Sequence, residues 1–517
     1  MRTVSLPVEI LRTKPWLLFW LAAAAQALIW LIVPTLFYSA PPGEVADVLA
    51  IGRERSYGTE AGPPLAFWLA EFALSATGGH MIGVYLLSQL CIVATYWAVF
   101  QLGRATLGER HAVLAVLLMV GISVFTINSP DFGPDILMMP LWAFAILCLW
   151  RATGEDKELY WVALAVDFWL MLLTSHLSLL LFAIVVGFVA IHPRARKAAI
   201  NPATGMAVIT IAFMAIPSFI LIRDYGFSLT PNPARLRHVE QVNQNIIDWV
   251  RLIALIALAH AGAAILVALA TNLSRTENVD ATAIVGPPPD PYGRVLILTF
   301  ALAPLIVVTS FAVISGKSDF SVVPPLLVLS GLAVVALAGE TIMLHHQRML
   351  SLAWLGLLVV PPALAAVGVL VMPVLFAVDL KAAQPADDIA KFFTDNFERR
   401  TQRKLEVVAG DPRLAALVSA ASGSRPRVFY IPEVGKPRLA TRQDAIEKGA
   451  VVVWRATDSA GTPPPEIKAQ FPDIVPEVPR AFDRLLLGRA PVLRIGWGMV
   501  RPQSAAPAPA QQQPQAQ

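Results

Sequence analysis

Apolar residues along most of this chain do not alternate; they run. Stretches approaching the length needed to cross about 30 Å of hydrocarbon lie at 15–37, 81–102, 112–127, 136–151, 159–173, 177–191, 203–222, 252–271, 295–315, 321–340 and 350–376. They predict about eleven transmembrane helices, several of them short. The stretch 159–191 is interrupted only by Thr174-Ser175-His176, so it reads as two short helices meeting in a tight turn or as one long tilted helix. Two helices make the topology self-consistent, whereas a single crossing would put the C-terminal part on the other side.

Beyond Asp379 the pattern changes: apolar runs shrink to strand length and charges return. Residues 405–409, 427–431 and 451–454 read as buried strands, separated by helical stretches at 412–422 and 442–448. Residues 385–403 carry Ile389, Phe393 and Phe397 at helical spacing. The chain therefore divides into a membrane part, 1–378, whose first outer loop spans 38–80, and a small soluble α/β domain, 379–501. The tail 502–517 is Ala, Pro and Gln with no core-forming residues and is expected to be disordered.

Composition agrees with lipid as the main solvent, since 56% of the 517 residues are hydrophobic and 15% charged, against about a quarter charged in soluble chains. The formal charge of +4 is carried by scattered loop residues, not a basic stripe, so nucleic acid is excluded as a partner. With the N-terminus inside, alternate loops hold Arg104 and Arg110, Arg151 and Lys157, Arg194 with Arg196 and Lys197, Arg275 and Arg294, and Arg348. That is the cytoplasmic excess the positive-inside rule requires. An odd number of spans then places the C-terminal domain outside. The first apolar run is too long for a signal-peptide core and ends in Tyr38-Ser39-Ala40 before Pro41, so it reads as an uncleaved span. Cys91 and Cys148 sit inside apolar runs without metal-ligand spacing.

Candidate chemistry gathers on the outer side. In the first outer loop, Glu44 and Asp47 are three apart, so a helix starting just after Gly43 puts both on one face. Phe67-Trp68-Leu69 suits a helix lying in the membrane interface. Asp131 and Asp135 lie in the second outer loop, Asp135 at the lip of a span. Paired acids at this level suit a general base for an acceptor hydroxyl or a site for a divalent cation; an ordinary solvated acid is the alternative for each. His176, Arg223 beside Asp224, and Lys317 near Asp319 face the same side. Cations there suit the phosphate of a lipid carrier, with interface snorkelling as the competing role. The chain has no GxGxxG after a strand, no Walker sequence, no HExxH and no GxSxG, which removes support for nucleotide-driven transport and for standard hydrolase chemistry.

An acid just after the first span, Pro63-Pro64-Leu65 followed by Trp68-Leu69, and Asp135 heading the fourth span resemble the family 39 type of glycosyltransferases. That group includes protein O-mannosyltransferases and bacterial lipid A aminoarabinose or galacturonic acid transferases. In the soluble part, 408–411, 425–428 and 449–454 are similar to strands of bacterial members. The resemblance implies a GT-C fold with interfacial helices in the first outer loop and an active site on the periplasmic face of a bacterial inner membrane. It implies a polyprenyl-phosphate sugar donor, transfer with inversion, and an acid of that loop as base.

Carried over, Glu44 matches the second member of the family's Asp-Glu pair and Asp135 the acid at the fourth span. The first acid is Gly43 here, the Lys before Pro-Pro-Leu is Gly62, and the Lys between the fifth and sixth spans is His176. The base role then falls to Glu44, or to Asp47 one turn on, and phosphate holding to His176, Arg223 or Lys317; Asp131 is a further candidate for substrate binding. The sequence thus reads as an inverting glycosyltransferase acting on a glycolipid or glycan acceptor such as lipid A or core polysaccharide. A non-catalytic member that binds a polyprenyl lipid or a partner enzyme is the first rival. A transporter is the second; it calls for polar groups at mid-membrane, where Asp167 is the main ionisable residue.

Overall fold

The computed structural model describes residues 6–225, 239–271, 282–288, 290–315, 322–432, 438–483 and 492–503. The chain divides into two compact units, Met1–Tyr38 with Tyr57–Gly368, and Ser39–Ser56 with Val369–Gln517. The first outer loop is therefore shared: 39–56 folds with the C-terminal unit, and only from Tyr57 does the loop belong to the bundle. The sequence boundary at 378 followed hydropathy, which does not register that Val45, Val48 and Leu49 find their burial in the other unit.

Among the described residues each of the eleven apolar runs is helical over most of its length. Six helices among the described residues are long and apolar enough to cross a membrane: Pro15–Phe37, Ile82–Thr106, Pro134–Thr153, Pro202–Asp224, Pro291–Val313 and Gln347–Phe376. A further pair, Ile246–Ala259 and Ala261–Ala270, is bent by 50°. At the bend, His260 meets the Ile256 carbonyl through Nδ1 at 2.8 Å and Ser330 Oγ through Nε2 at 3.0 Å, so polar groups freed by the break are satisfied within protein. The other runs form the shorter helices Glu109–Met119, Leu159–Leu172, Ser178–Ile191 and Pro324–Ala338. Residues 159–191 thus make two helices, turning at 173–177. The chain is a multi-pass membrane protein.

Helices dissolved in lipid gain little from apolar contact alone, because lipid tails are as apolar as leucine. Packing and buried hydrogen bonds must hold the bundle. Pro134–Thr153 lies innermost, with 83% of its span window buried against 22% for Pro202–Asp224 and Gln347–Phe376. Trp142 on this helix is fully buried, as are Trp30 on Pro15–Phe37 and Tyr96 and Phe100 on Ile82–Thr106, and Tyr292 Oη donates to Thr153 Oγ1 at 2.5 Å. A short antiparallel ribbon, β1 (Thr282–Val285) with β2 (Thr341–Leu344), was not expected from the sequence.

The second unit is built on a five-stranded sheet of order β4-β3-β5-β7-β6, where β3 is Val407–Gly410, β4 Arg427–Tyr430, β5 Ala450–Arg455, β6 Pro476–Phe482 and β7 Leu493–Val500. The first three are parallel and linked through the helices Pro412–Ala421 and Arg442–Lys448; β7 and β6 extend the sheet antiparallel. Parallel strands covered on both faces read as unbroken apolar runs, which is why 427–431 and 451–454 were legible as strands. One face packs Val407, Phe429, Val452 and Trp454 against Ile467 and Phe471. Helix Ala386–Thr401 packs Phe392 and Phe393 against Trp497 and Phe482.

Gly410 ends β3 with φ +118°, and a Cβ there would overlap the carbonyl oxygen of Val453 on β5. Gly410→Ala is expected to destabilise the second unit by roughly 3 kcal/mol through strain and overpacking, read as a lowered unfolding midpoint of the purified protein. An unchanged midpoint would contradict this account of the β3–β5 junction.

Candidate active site

In the second unit the two first-loop carboxylates are delivered by the helix Val45–Arg53. Gly43 precedes it with φ +53°, a left-handed turn that glycine makes without steric cost. Glu44 then occupies the N-cap position and Asp47 the first turn, where carboxylates are favoured by the helix dipole. A nine-residue helix has little stability of its own. Here it is gripped by the C-terminal fold: Arg427 forks onto Glu54, with Nε to Oε1 at 2.9 Å and Nη2 to Oε2 at 2.8 Å. Arg425 Nη2 donates to the Leu49 carbonyl at 3.1 Å, and Arg53 Nε donates to the Arg425 carbonyl at 3.1 Å. Tyr430 Oη, at the end of β4, donates to Asp47 Oδ1 at 2.7 Å. Burial, and then the Asp47 charge, hold the Tyr430 phenol well above its ordinary value of 10.0, so it stays protonated and donating.

Lys381 completes the arrangement. Its Nζ lies 2.6 Å from Glu44 Oε1 and 2.9 Å from the Gly43 carbonyl oxygen. Glu44, Asp47 and Lys381 line a polar cavity of about 240 Å³ together with Gln384, Asp411 and Arg413. Asp411 also caps the helix Pro412–Ala421 by accepting from Leu414 N at 3.1 Å. Lys381 and Arg413 had no mark in the sequence that set them apart: one follows the last span, the other lies in an ordinary helical first turn.

In the first unit, Asp131 and Asp135 are half-buried in and after a loop that polar residues of two spans hold in place. Gln26 Nε2 donates to the Phe125 carbonyl at 2.8 Å, Gln89 Nε2 to Ser129 Oγ at 3.1 Å, and Ser88 Oγ to the Ser129 carbonyl. Asp135 enters the first turn of Pro134–Thr153. Burial and the charge of Asp131 push the Tyr38 phenol up to about 12. His176 sits in the turn 173–177, and Leu65 N, just after Pro63-Pro64, donates to the Leu173 carbonyl in that turn at 2.9 Å. Burial holds the His176 imidazole below its usual value, so near neutral pH it offers a hydrogen bond but not a full charge. Arg223 is exposed and paired with Asp224 at 2.9 Å. Lys317 and Asp319 lie outside the described residues. Among the described residues no group of three or more His, Cys, Asp or Glu is arranged to hold a metal ion.

Residues 61–221 match the family described as dolichyl-phosphate-mannose-protein mannosyltransferase. That stretch includes Gly62, Asp131, Asp135 and His176 but begins after Glu44 and Asp47. No curated protein matches the chain. Among solved structures it is similar to ArnT from Cupriavidus metallidurans bound to undecaprenyl phosphate, at 12% identity and TM-score 0.52 over 94% of this chain and 99% of that one. The apo state of that ArnT aligns at 13% identity and TM-score 0.47 over 96% and 100%. The Archaeoglobus fulgidus oligosaccharyltransferase in the apo form aligns at 11% and 0.41 over 80% and 65%. The resemblance to family 39 glycosyltransferases read from the order of sequence features stands, and the fold is of the GT-C type.

The grip on the loop helix has a measurable consequence. A phenol whose value is raised by folding contributes stability below its ordinary value of 10.0 and loses it as pH climbs through the raised one. Protection of the amides in 45–53 against hydrogen exchange should therefore persist to about pH 10 and fall beyond it. Tyr430→Phe should lower that protection about fivefold at neutral pH, the equivalent of one hydrogen bond; no change would mean that Asp47 is not held by Tyr430.

Proposed function

We propose that the chain is an inverting glycosyltransferase that moves a sugar from a polyprenyl-phosphate donor to an acceptor of the cell envelope, such as lipid A, core polysaccharide or another glycan. The observation that carries the reading is the presentation of Glu44 and Asp47 on one helical turn at the wall of a polar cavity, in a chain of GT-C fold. The ArnT to which it is similar was solved bound to undecaprenyl phosphate, which supports a lipid-phosphate donor. In this reading about eleven spans of an inner membrane carry the second unit on the periplasmic side.

The acceptor hydroxyl attacks the anomeric carbon as the bond from that carbon to the phosphate oxygen breaks. The lipid phosphate leaves with the electron pair and Glu44 takes the hydroxyl proton. A single carboxylate in line suffices, because phosphate is already a good leaving group. Asp47, fixed by Tyr430, orients the same turn and is the alternative base. Asp135 is assigned the orienting of acceptor or cation, Asp131 substrate binding, and His176, Arg223 and Lys317 the donor phosphate. His176 serves there as a hydrogen-bond donor, given its lowered value.

A second reading has its own support: Glu44 is ion-paired to Lys381, and Gly43 stands where the resembled family has an acid. A non-catalytic protein that binds a polyprenyl lipid or a partner enzyme would tolerate both.

The test is mass spectrometry of lipid A, core polysaccharide and other envelope glycans in a deletion strain complemented with wild type, Glu44→Gln or Asp135→Asn. Wild type is expected to restore a missing sugar, and Glu44→Gln to lower transfer by roughly 10²–10⁴-fold. Full transfer by both variants would refute the assignment of roles. A glycan profile unchanged by the deletion under several growth conditions would favour the non-catalytic reading.

A further inference from the structure

A second cavity lies in the first unit, at the end of the bundle where the N-terminal helix Leu6–Thr13, the end of Ala261–Ala270 and the start of Gln347–Phe376 meet. Its volume is about 220 Å³, and its lining is almost wholly apolar, including Leu11, Leu18, Leu114, Leu266, Val334 and Leu344. This is the end opposite Tyr38: the first span, 23 residues long, puts about 35 Å of helix between them.

An apolar cavity of about 150 Å³ stays dry and takes up benzene, so this larger one suits a hydrocarbon guest and offers water nothing to bond. Trp354 lines it and donates from Nε1 to the Leu117 carbonyl at 3.1 Å; tryptophan is enriched at the headgroup boundary of a bilayer. Cations stand beside the lining residues. Arg110 is one helical turn before Leu114 and so shares its face, Arg348 is three residues before Ser351, and Arg12 follows Leu11. Arg110 Nη2 reaches the Arg12 carbonyl at 3.1 Å, drawing two of these segments together. Glu9 and Glu109 are the carboxylates on the same two helices, while Lys14 and Arg104 add to the positive side.

We propose that this cavity holds one acyl chain of an anionic phospholipid, with its headgroup among Arg12, Arg110 and Arg348. Between a lipid tail in the bilayer and the same tail in a protein cavity the hydrophobic effect nearly cancels. What favours occupation is filling a void whose lining otherwise lacks partner atoms, and what selects the lipid is charge at the mouth. A polyprenyl donor is the less fitting guest, because its reacting phosphate belongs at the far end of the spans in the reading above. The choice between the two guests rests on that reading, whereas binding of a phospholipid does not require that the chain transfer a sugar.

The experiment is native mass spectrometry of the full-length protein released from nanodiscs of equimolar phosphatidylglycerol and phosphatidylcholine. Wild type is expected to retain phosphatidylglycerol with a preference of about fivefold or more, the effect of roughly one basic residue at a membrane surface. Leu114→Trp and, separately, Val334→Phe should fill the cavity and abolish that adduct; thermal unfolding identifies any variant that does not fold, and the other then decides. Arg110→Gln with Arg348→Gln should remove the preference for phosphatidylglycerol over phosphatidylcholine. Equal retention of the two lipids by wild type, or an adduct unchanged by both filling variants, would overturn the proposal. So would retention of added undecaprenyl phosphate in place of phosphatidylglycerol, lost on filling, which would give the cavity to the donor tail.

Discussion

The second unit depends on how a nine-residue loop helix is held. Val45–Arg53 is too short to persist in water by its own hydrogen bonds, yet it carries the two acids on which the functional reading turns. Burial of Val45, Val48 and Leu49 supplies adhesion, but apolar contact is not directional and leaves a short helix free to slide or rotate. The fork of Arg427 on Glu54 fixes one end, the Tyr430 hydroxyl on Asp47 fixes the first turn, and Arg425 on the Leu49 carbonyl fixes the middle. The side chain of Glu54 is only 13% exposed, so its charge is costly unless met, and Arg427 meets it in the bidentate geometry that carboxylates favour. Those arginines flank or begin β4, so the position of the acids follows from the register of a parallel sheet.

That arrangement bears on how Glu44 behaves. Its side chain is two-thirds exposed, and its ion pair with Lys381 is at the surface, where a pair contributes little to stability. A lysine so placed acts through position: its Nζ bridges Glu44 Oε1 and the Gly43 carbonyl oxygen at the wall of the cavity. Asp47 differs, because its partner is a buried neutral phenol that aims it without neutralising it. The turn thus combines one acid held by an ion pair at the surface with one held by a hydrogen bond from a buried phenol.

Sequence and structure part company along physical lines. Apolar runs report their own burial, so the helices of the membrane part and the strands at 427–431 and 451–454 were legible. β6 and β7 were not: Pro476–Phe482 has mostly exposed residues and two prolines, and Leu493–Val500 contains two glycines, a composition that reads as loop. The grip on the loop helix was invisible for a different reason. Glu54 and Arg427 are 373 positions apart, and nothing local in either distinguishes them from solvated charges. Lys381 was hidden in the same way, as a cation just past the last span. The carboxylates themselves were legible because an acid placed after a span in an otherwise apolar chain is conspicuous.

The polar residues buried in the spans call for a more restrained reading than their cost suggests. A polar group at membrane depth invites a functional explanation, and Gln26, Ser88 and Gln89 are such groups. Each donates to the loop that precedes Pro134–Thr153, where a non-helical backbone must have its carbonyls satisfied within protein because lipid cannot do it. They therefore act one step removed from any chemistry, by fixing the loop that holds Asp131 and leads into Asp135. The two pairs of acids are thus held by different means. Glu44 and Asp47 are set by charge and a sheet edge in one unit, whereas Asp131 and Asp135 are set by neutral hydrogen bonds from span residues in the other. Neutral donors suit the second setting, since a cation at those buried positions would cost more to desolvate than one carbonyl returns.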